Sequence, residues 1–480
     1  MRHTKIICTL GPNFDNKETF LKLAGDMDVA RFNFSHGDHE EHKGRLELLK
    51  DVRKKTGRPI AALLDTKGPE IRTGRLVDHK KVELCAGGHV KLTVKECEGT
   101  CERIFINYSE LCSDVSCGSH ILIDDGLIDL EVERVEGDDI DCRIINGGEL
   151  GEQKGVNVPG VKVKLPSLTE KDIDDIRFGV REGFDIIAAS FVRDADCIRQ
   201  IRKILEEEGA PDMLVIAKIE NQEGVNNIDE IIKEADGVMV ARGDMGVEIE
   251  PYKLPNIQKT IIRKCNMADK IVITATQMLD SMMRNPRPTR AEVSDVANAV
   301  YDGTDCVMLS GETAIGKYPY EALKMMATIC EDTEKNIDYD SFRHRKTENM
   351  HFDQVSNAVA HATISTAMRL SAVGVVAPTM SGHTARMLSK WRPVMPIYAM
   401  SPSMSTVRRT MLLWGTIPVW SRRAESTDEL IENSIRELNA GGYIKGDDLL
   451  VVTAGVLNYR TGEKATDTNI MRVIKADGSL

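Results

Sequence analysis

Short apolar runs recur through the first two thirds of the chain, each breaking off at a polar cluster. They are KIICTL (5–10), DVARFNFS (28–35), IAALLDT (60–66), FDIIAASFV (184–192), LVIAKIE (214–220), GVMVARGD (237–244), KIVITAT (270–276) and CVMLSGE (306–312). Such runs read as strands buried on both faces. Between them the period becomes helical. In 194–208, Ile198, Ile201 and Leu205 share a face, and Gly209 and Pro211 then stop the helix. In 289–302, Thr289 and Glu292 make a capping box ahead of Val293, Val296 and Val300. In 169–182, Thr169 and Asp172 start a helix that carries Ile173, Ile176 and Val180. Eight strands alternating with helices predict an α/β chain with a (β/α)8 TIM barrel. An open doubly wound sheet is the alternative, but no Gly-x-Gly-x-x-Gly turn follows the first strand.

One interval breaks the rhythm. Between Thr66 and Thr169 lie alternating patterns, HVKLTV (89–94) and DGLIDLEVERVEGDDIDCRI (125–144), punctuated by AGG, EGDD and NGG. This predicts a small β-barrel inserted after strand three, 70–167, on a barrel of 1–69 and 168–345. On the catalytic rim it would act as a lid. The polar stretch 338–350 reads as a linker. A helix (353–370) and strands VGVVAP (373–378), PIYAMS (396–401) and LLVVTAG (449–455) then predict a C-terminal α/β unit, 346–480.

Composition narrows the function. Of 480 residues, 41% are hydrophobic and 29% charged, as in ordinary globular proteins. No apolar run reaches membrane-spanning length, and the N-terminus lacks a signal-peptide pattern. Eleven scattered cysteines suit free thiols in a reducing cytoplasm. A net charge of −12 argues against nucleic acid or an anionic membrane as partner, but leaves room for small anions held by local cations or metal ions.

The strand ends carry the candidate chemistry. In a strand, positions i and i+2 share a face, so Lys218 and Glu220 point to one place. A lone pair of this kind is usually structural. Here strand two ends with Arg31, Asn33 and Ser35, strand three with Asp65 and Thr66, and strand six with Arg242, Gly243 and Asp244. Strand seven ends with Thr276 and strand eight with Ser310 and Glu312. A ring of buried charges without ligands would be costly. Glu220 and Asp244 are two hard oxygen donors, too few for a protein cage but suited to Mg2+ or Mn2+ that keeps water and substrate ligands. Lys218 beside them suits a phosphoryl group in transit. Arg31 and Arg72 are further anion clamps. Gly243 permits close approach to the backbone, with N–H groups of a following helix free for a carboxylate.

At these positions RFNFSHG (31–37), LLDTKGPEIRTG (63–74), KGVNVPG (154–160), AKIENQEG (217–224), VARGDMGVEI (240–249), ITATQMLDSM (273–282), NPRPTRAE (285–292) and MLSGETA (308–314) stand in order along the chain. Together they resemble the pyruvate kinase family. The resemblance implies phosphoryl transfer from phosphoenolpyruvate to ADP, giving pyruvate and ATP, with Mg2+ and K+, in a homotetramer. By position it implies that Lys218 stabilises the phosphoryl group, which Arg31 also contacts, and that Glu220 and Asp244 bind the divalent ion. Gly243, Asp244 and Thr276 would hold the substrate carboxylate. Asn33, Ser35, Asp65 and Thr66 would bind K+. Arg72 and Lys154, with Asn33, Ser35 and His36, would contact the nucleotide. Thr276 or Ser310 would belong to the relay that protonates the substrate's methylene carbon.

The stretch APTMSGHTARMLSKWRP (377–393) resembles the family's effector loop, giving Thr379, Ser381, Gly382, His383 and Thr384 as candidate contacts of a phosphorylated metabolite. Met380 and His383 stand where relatives that bind fructose 1,6-bisphosphate place Lys or Arg. Ribose 5-phosphate, glucose 6-phosphate or AMP is an equal expectation. Six cysteines (85, 97, 101, 112, 117 and 142) fall in the insertion without a Cys-x-x-Cys pair, and read as plain thiols. Two rival functions remain: a Mg2+-dependent barrel lyase or mutase, and a metabolite sensor without catalysis.

Overall fold

The computed structural model describes residues 2–348, 355–455 and 468–477. The eight predicted strands form Lys5–Thr9, Val29–Asn33, Ala61–Asp65, Ile186–Ala189, Leu214–Ile219, Gly237–Ala241, Ile271–Ala275 and Cys306–Leu309. All pair in parallel with their sequence neighbours, and the last pairs with the first, so the barrel closes. Alternate residues face inward. Ile7, Val29, Leu63, Ala188, Ile216 and Met239 pack inside, while Ile6, Ala30, Ala62, Val215 and Val238 meet the helical layer. The helices at Glu170–Glu182 and Arg290–Asp302 begin with the two expected capping boxes, Thr169 with Asp172 and Thr289 with Glu292.

The insertion between the third strand and Glu170 holds a seven-stranded sheet and a two-stranded ladder. The two edges of the larger sheet meet at an antiparallel bridge, Thr73 to Ile106, which curls it into a barrel around Ile104, Ile121, Leu130 and Ile140. The C-terminal sheet has five strands: Gly374–Pro378, Ile397–Ser401 and Leu449–Ala454 at the expected places, with Thr416–Trp420 and an antiparallel Ile470–Lys475 at its edges. The expected helix is seen as Val355–Arg369; residues 353 and 354 lie outside the described residues.

One expectation is corrected. Tyr339–Glu348, read as linker, is a helix; 349 and 350 lie outside the described residues. It stays ordered because it is pinned from both sides. Lys346 is buried and donates to Asn266 O and Asp269, Arg343 donates to Arg392 O, and the Tyr339 ring packs against Trp414. The C-terminal unit covers the N-terminal mouth of the barrel, where Lys5 Nζ donates to Thr416 O at 2.6 Å. The opposite mouth, toward which the polar strand ends point, faces the insertion.

Candidate active site

The inward column of each strand brings its polar end to the same layer. Register pairs Asn33 with Asp65, and Asp65 with Ala188. Two residues past Ala188 stands Ser190, and Ile216 leads by the same alternation to Lys218 and Glu220. These side chains form one buried network. Asp65 accepts from Arg31 Nε at 2.6 Å and lies 3.0 Å from Lys218 Nζ. Lys218 Nζ is also 3.0 Å from Glu220 and donates to Ser190 Oγ at 2.6 Å. Arg31 reaches on to Thr9 Oγ1 at 2.9 Å.

Charge is unevenly shared in this network. For Lys218, burial is the largest influence and would lower its pKa, but the Asp65 and Glu220 carboxylates outweigh it and hold the ammonium charged. Asp65 is likewise opposed by burial, yet Arg31 and Lys218 keep it below the usual carboxylate range. Glu220 goes the other way. Burial pushes it up to about 7, Lys218 pulls it down, and the charge of Asp244 adds to the rise. Two cations therefore face three carboxylates, and Glu220 carries the deficit. Its second oxygen accepts the Phe191 N–H at 2.5 Å.

Around the mouth the backbone is strained. Thr276, β-branched, has a positive φ of 67°, and Phe191 one of 54°. The Thr276 hydroxyl accepts the Gly243 N–H at 2.7 Å and donates to Ala275 O at 2.6 Å. The expected helix is present as Arg242–Glu248, with Gly243 in its first turn rather than ahead of it, and the Gly243 N–H is taken by Thr276. Ser310 Oγ is buried with no hydrogen-bond partner among the described residues, while its N–H donates to Glu312. Arg242 is structural, paired with Asp295 and donating to Thr276 O.

Between barrel and insertion lies a cleft of about 630 Å3, lined by Arg72, Lys154, Asp244 and Phe191 among others. Arg72 is paired with Glu70 at 2.7 Å, and Lys154 with Asp124 at 2.8 Å. Asn33, Ser35 and His36 do not line it; His36 is exposed on the loop after the second strand. The Asn33 side chain accepts the Ser35 N–H, and Thr66 Oγ1 accepts that of Ser190. Among the described residues no three His, Cys, Asp or Glu side chains form a ready metal cage, and all eleven cysteines are free.

Sequence reasoning missed Thr9, Ser190, Asp124, Asp125 and Glu248. Ser190 had a signal: it ends strand four on the inward face, by the rule that found the others. Asp124 and Asp125 reach the cleft through a turn with φ near 56° at both, which nothing in an alternating pattern announces.

The five candidate effector residues line a separate cavity of about 840 Å3 between the C-terminal sheet and the barrel. Gly382, at φ 93°, gives its N–H to Thr379 Oγ1. The loop itself lacks a cation, but Arg386, Arg409, Arg422 and Arg423 line the same cavity.

A (β/α)8 barrel of the enzyme type, with a buried network of charged side chains at its strand ends, is the class this fold defines. Comparison with known proteins gives the family. Residues 1–323 match the model of the pyruvate kinase barrel domain and 357–474 that of the pyruvate kinase alpha/beta domain. Pyruvate kinases of Staphylococcus epidermidis and Staphylococcus aureus are 50% identical over 476 residues, 98% of this chain and 80% of theirs. A crystal structure of a pyruvate kinase from Cryptosporidium parvum superposes with a TM-score of 0.93 at 39% identity, covering 99% of this chain and 96% of that one. The chain belongs to the pyruvate kinase family. The lyase and sensor readings give way to a phosphotransferase whose substrates and products are phosphoenolpyruvate, ADP, pyruvate and ATP.

Proposed function

We propose that phosphoryl transfer takes place at the polar mouth of the barrel and requires Mg2+ (or Mn2+) and K+. Phosphoenolpyruvate would be held against Lys218 and Arg31, and ADP against Arg72 and Lys154 of the insertion. The observation that carries this reading is Lys218, a buried ammonium kept charged by Asp65 and Glu220 beside a cleft with cations on its far wall. Two anions must meet here, and fixed cations offset their repulsion. The insertion, 70–167, would close as a lid and exclude water from the barrel unit, 1–69 with 168–345.

The residues fit a divalent cation at Glu220 and Asp244. Burial first, and the charge of Asp244 after it, disfavour the charged form of Glu220 beyond what Lys218 offsets, and a divalent ion on both carboxylates would relieve this. When bound, it supplies Lewis-acid polarisation of the substrate oxygens. Asn33, Ser35, Asp65 and Thr66 offer oxygens with a single carboxylate, which suits a large, weakly hydrated monovalent ion. Gly243, Asp244 and Thr276 would hold the substrate carboxylate. For the proton relay, Ser310 is favoured over Thr276. Among the described residues its hydroxyl has no partner to give up, whereas that of Thr276 is engaged twice.

Asn33, Ser35 and His36 are kept as nucleotide contacts on the family resemblance alone, as are the homotetramer and the cytoplasmic location. The 840 Å3 cavity, with Thr379 to Thr384 and its arginines, would take a phosphorylated effector where the C-terminal unit, 346–480, meets the barrel. The test is pyruvate formation with each component omitted in turn. Activity should require phosphoenolpyruvate, ADP, a divalent ion and K+ together. A full rate in chelator, or in a buffer without K+ and NH4+, would sink the cation assignments.

A further inference from the structure

The fourth barrel strand ends in Ser190 and Phe191, to which neither composition nor family resemblance gave a role. Ser190 is buried, and its hydroxyl touches three groups. It accepts a hydrogen bond from Lys218 Nζ at 2.6 Å, donates one to Thr66 O at 2.6 Å, and lies 3.2 Å from Asp65. Its N–H goes to Thr66 Oγ1 at 3.1 Å. The next residue, Phe191, is held in the left-handed region, which aims its N–H at Glu220. Gly68 packs against this turn so closely that a Cβ there would fall 2.8 Å from the Phe191 ring and 2.9 Å from Ser190 Cβ.

We propose that Ser190 is a positioning residue for Lys218, fixing its ammonium and tying it to the oxygens of Asp65 and Thr66 at the end of the third strand. An ammonium has three protons, and here each has one partner: Asp65, Glu220 and Ser190. A lysine stem has four rotatable bonds, and here two carboxylates lie at the same 3.0 Å from its ammonium. The third anchor removes that freedom. A hydroxyl has one proton, and its shorter contact gives that proton to Thr66 O, which leaves its lone pairs for Lys218. Asp65 and Thr66 are two of the four residues assigned to the monovalent cation. Ser190 therefore links the occupancy of that site to the place of the lysine. The inference rests on the role given to Lys218 above.

The test compares Ser190→Ala, Ser190→Cys and Lys218→Met in the full-length enzyme. It reads kcat, KM for each substrate, the K+ dependence, melting temperature, and exchange of pyruvate methyl protons with heavy water. Losing a hydrogen bond to a charged group should lower kcat of Ser190→Ala by about 10- to 100-fold. KM for ADP should stay within about twofold, since that side is untouched. More K+ should be needed for half-activation, and proton exchange should persist. Ser190→Cys fills the same space but bonds weakly, so it should be impaired like Ala; it also serves as the readout if Ser190→Ala does not fold. Wild-type kcat in Ser190→Cys, an unchanged K+ dependence, or loss of exchange in step with kcat would overturn the inference and leave Ser190 as packing. Retention of phosphoryl transfer by Lys218→Met would instead overturn the role of Lys218 itself.

Discussion

Replacing Lys218 with Met keeps the length of the side chain and removes its charge. Asp65 would still hold Arg31 at 2.6 Å, but Glu220 would lose the one cation in contact with it among the described residues. Breaking a buried pair typically costs about 3–5 kcal/mol. Here a proton can relieve the cost. Glu220 already sits near 7, and without Lys218 it rises further. Its folded pKa then lies well above that of the unfolded chain, so the folded state takes up the proton as pH falls, and stability returns by about 1.4 kcal/mol per pH unit below the new pKa. The melting temperature of Lys218→Met should therefore fall clearly below wild type at pH 8 and approach it at pH 6. Activity should not follow stability. Loss of a preorganised cation costs at least about a hundred- to a thousandfold in phosphoryl transfer. Exchange of pyruvate methyl protons, which needs the divalent ion rather than the phosphoryl clamp, should remain. Both are read on one preparation, by coupled assay and by proton NMR. If exchange disappears together with transfer, Lys218 also handles the substrate's carbon chemistry, and the division of roles is wrong.

Glu70→Lys exchanges the carboxylate that pairs with Arg72 for an ammonium in the same cleft; if that added cation can stand in for K+, partial activity without K+ and a blunted K+ response are expected, and an unchanged requirement would separate position 70 from the K+ dependence. Ser381→Glu puts a carboxylate in the arginine-lined cavity; basal turnover should survive while activation by sugar phosphates or AMP vanishes, and an unaltered activation curve would exclude the loop. Lys346, lowered to about 8 by burial, favours the folded state as pH rises from 8 toward its unfolded value, because the unfolded chain then binds more protons. The melting temperature of wild type relative to Lys346→Met should thus improve between pH 8 and 10; a constant difference would contradict this.

The barrel was legible because strands buried on both faces cannot hide. Ile6 to Cys8 or Val238 to Val240 have no polar positions to blur the run. The site was legible for the same reason in reverse: once Ile216 faces inward, alternation carries Lys218 and Glu220 with it. Ser190 was lost because a small hydroxyl between Ala189 and Phe191 does not interrupt an apolar reading. The helix Tyr339–Glu348 was lost because its stability lies in its contacts. Its composition is polar, and nothing local says that Lys346 will be buried against Asp269. The edge strands Thr416–Trp420 and Ile470–Lys475 depend on a sheet built by distant segments. So does closure of the inserted sheet through Thr73 and Ile106.

The central claim is that the barrel mouth around Lys218, Glu220 and Asp244 is where substrate and divalent ion meet. Crystals grown with Mn2+ and a non-reactive analogue of the pyruvate enolate, such as oxalate, test it directly by anomalous scattering. The cleft offers a real competitor, since Asp124, Asp125 and Glu248 also line it. The expected result is a Mn2+ peak within coordination distance, about 2.0–2.3 Å, of carboxylate oxygens of both Glu220 and Asp244, with the analogue on the same ion. A peak on Asp124, Asp125 or Glu248, with none at Glu220, would contradict the account.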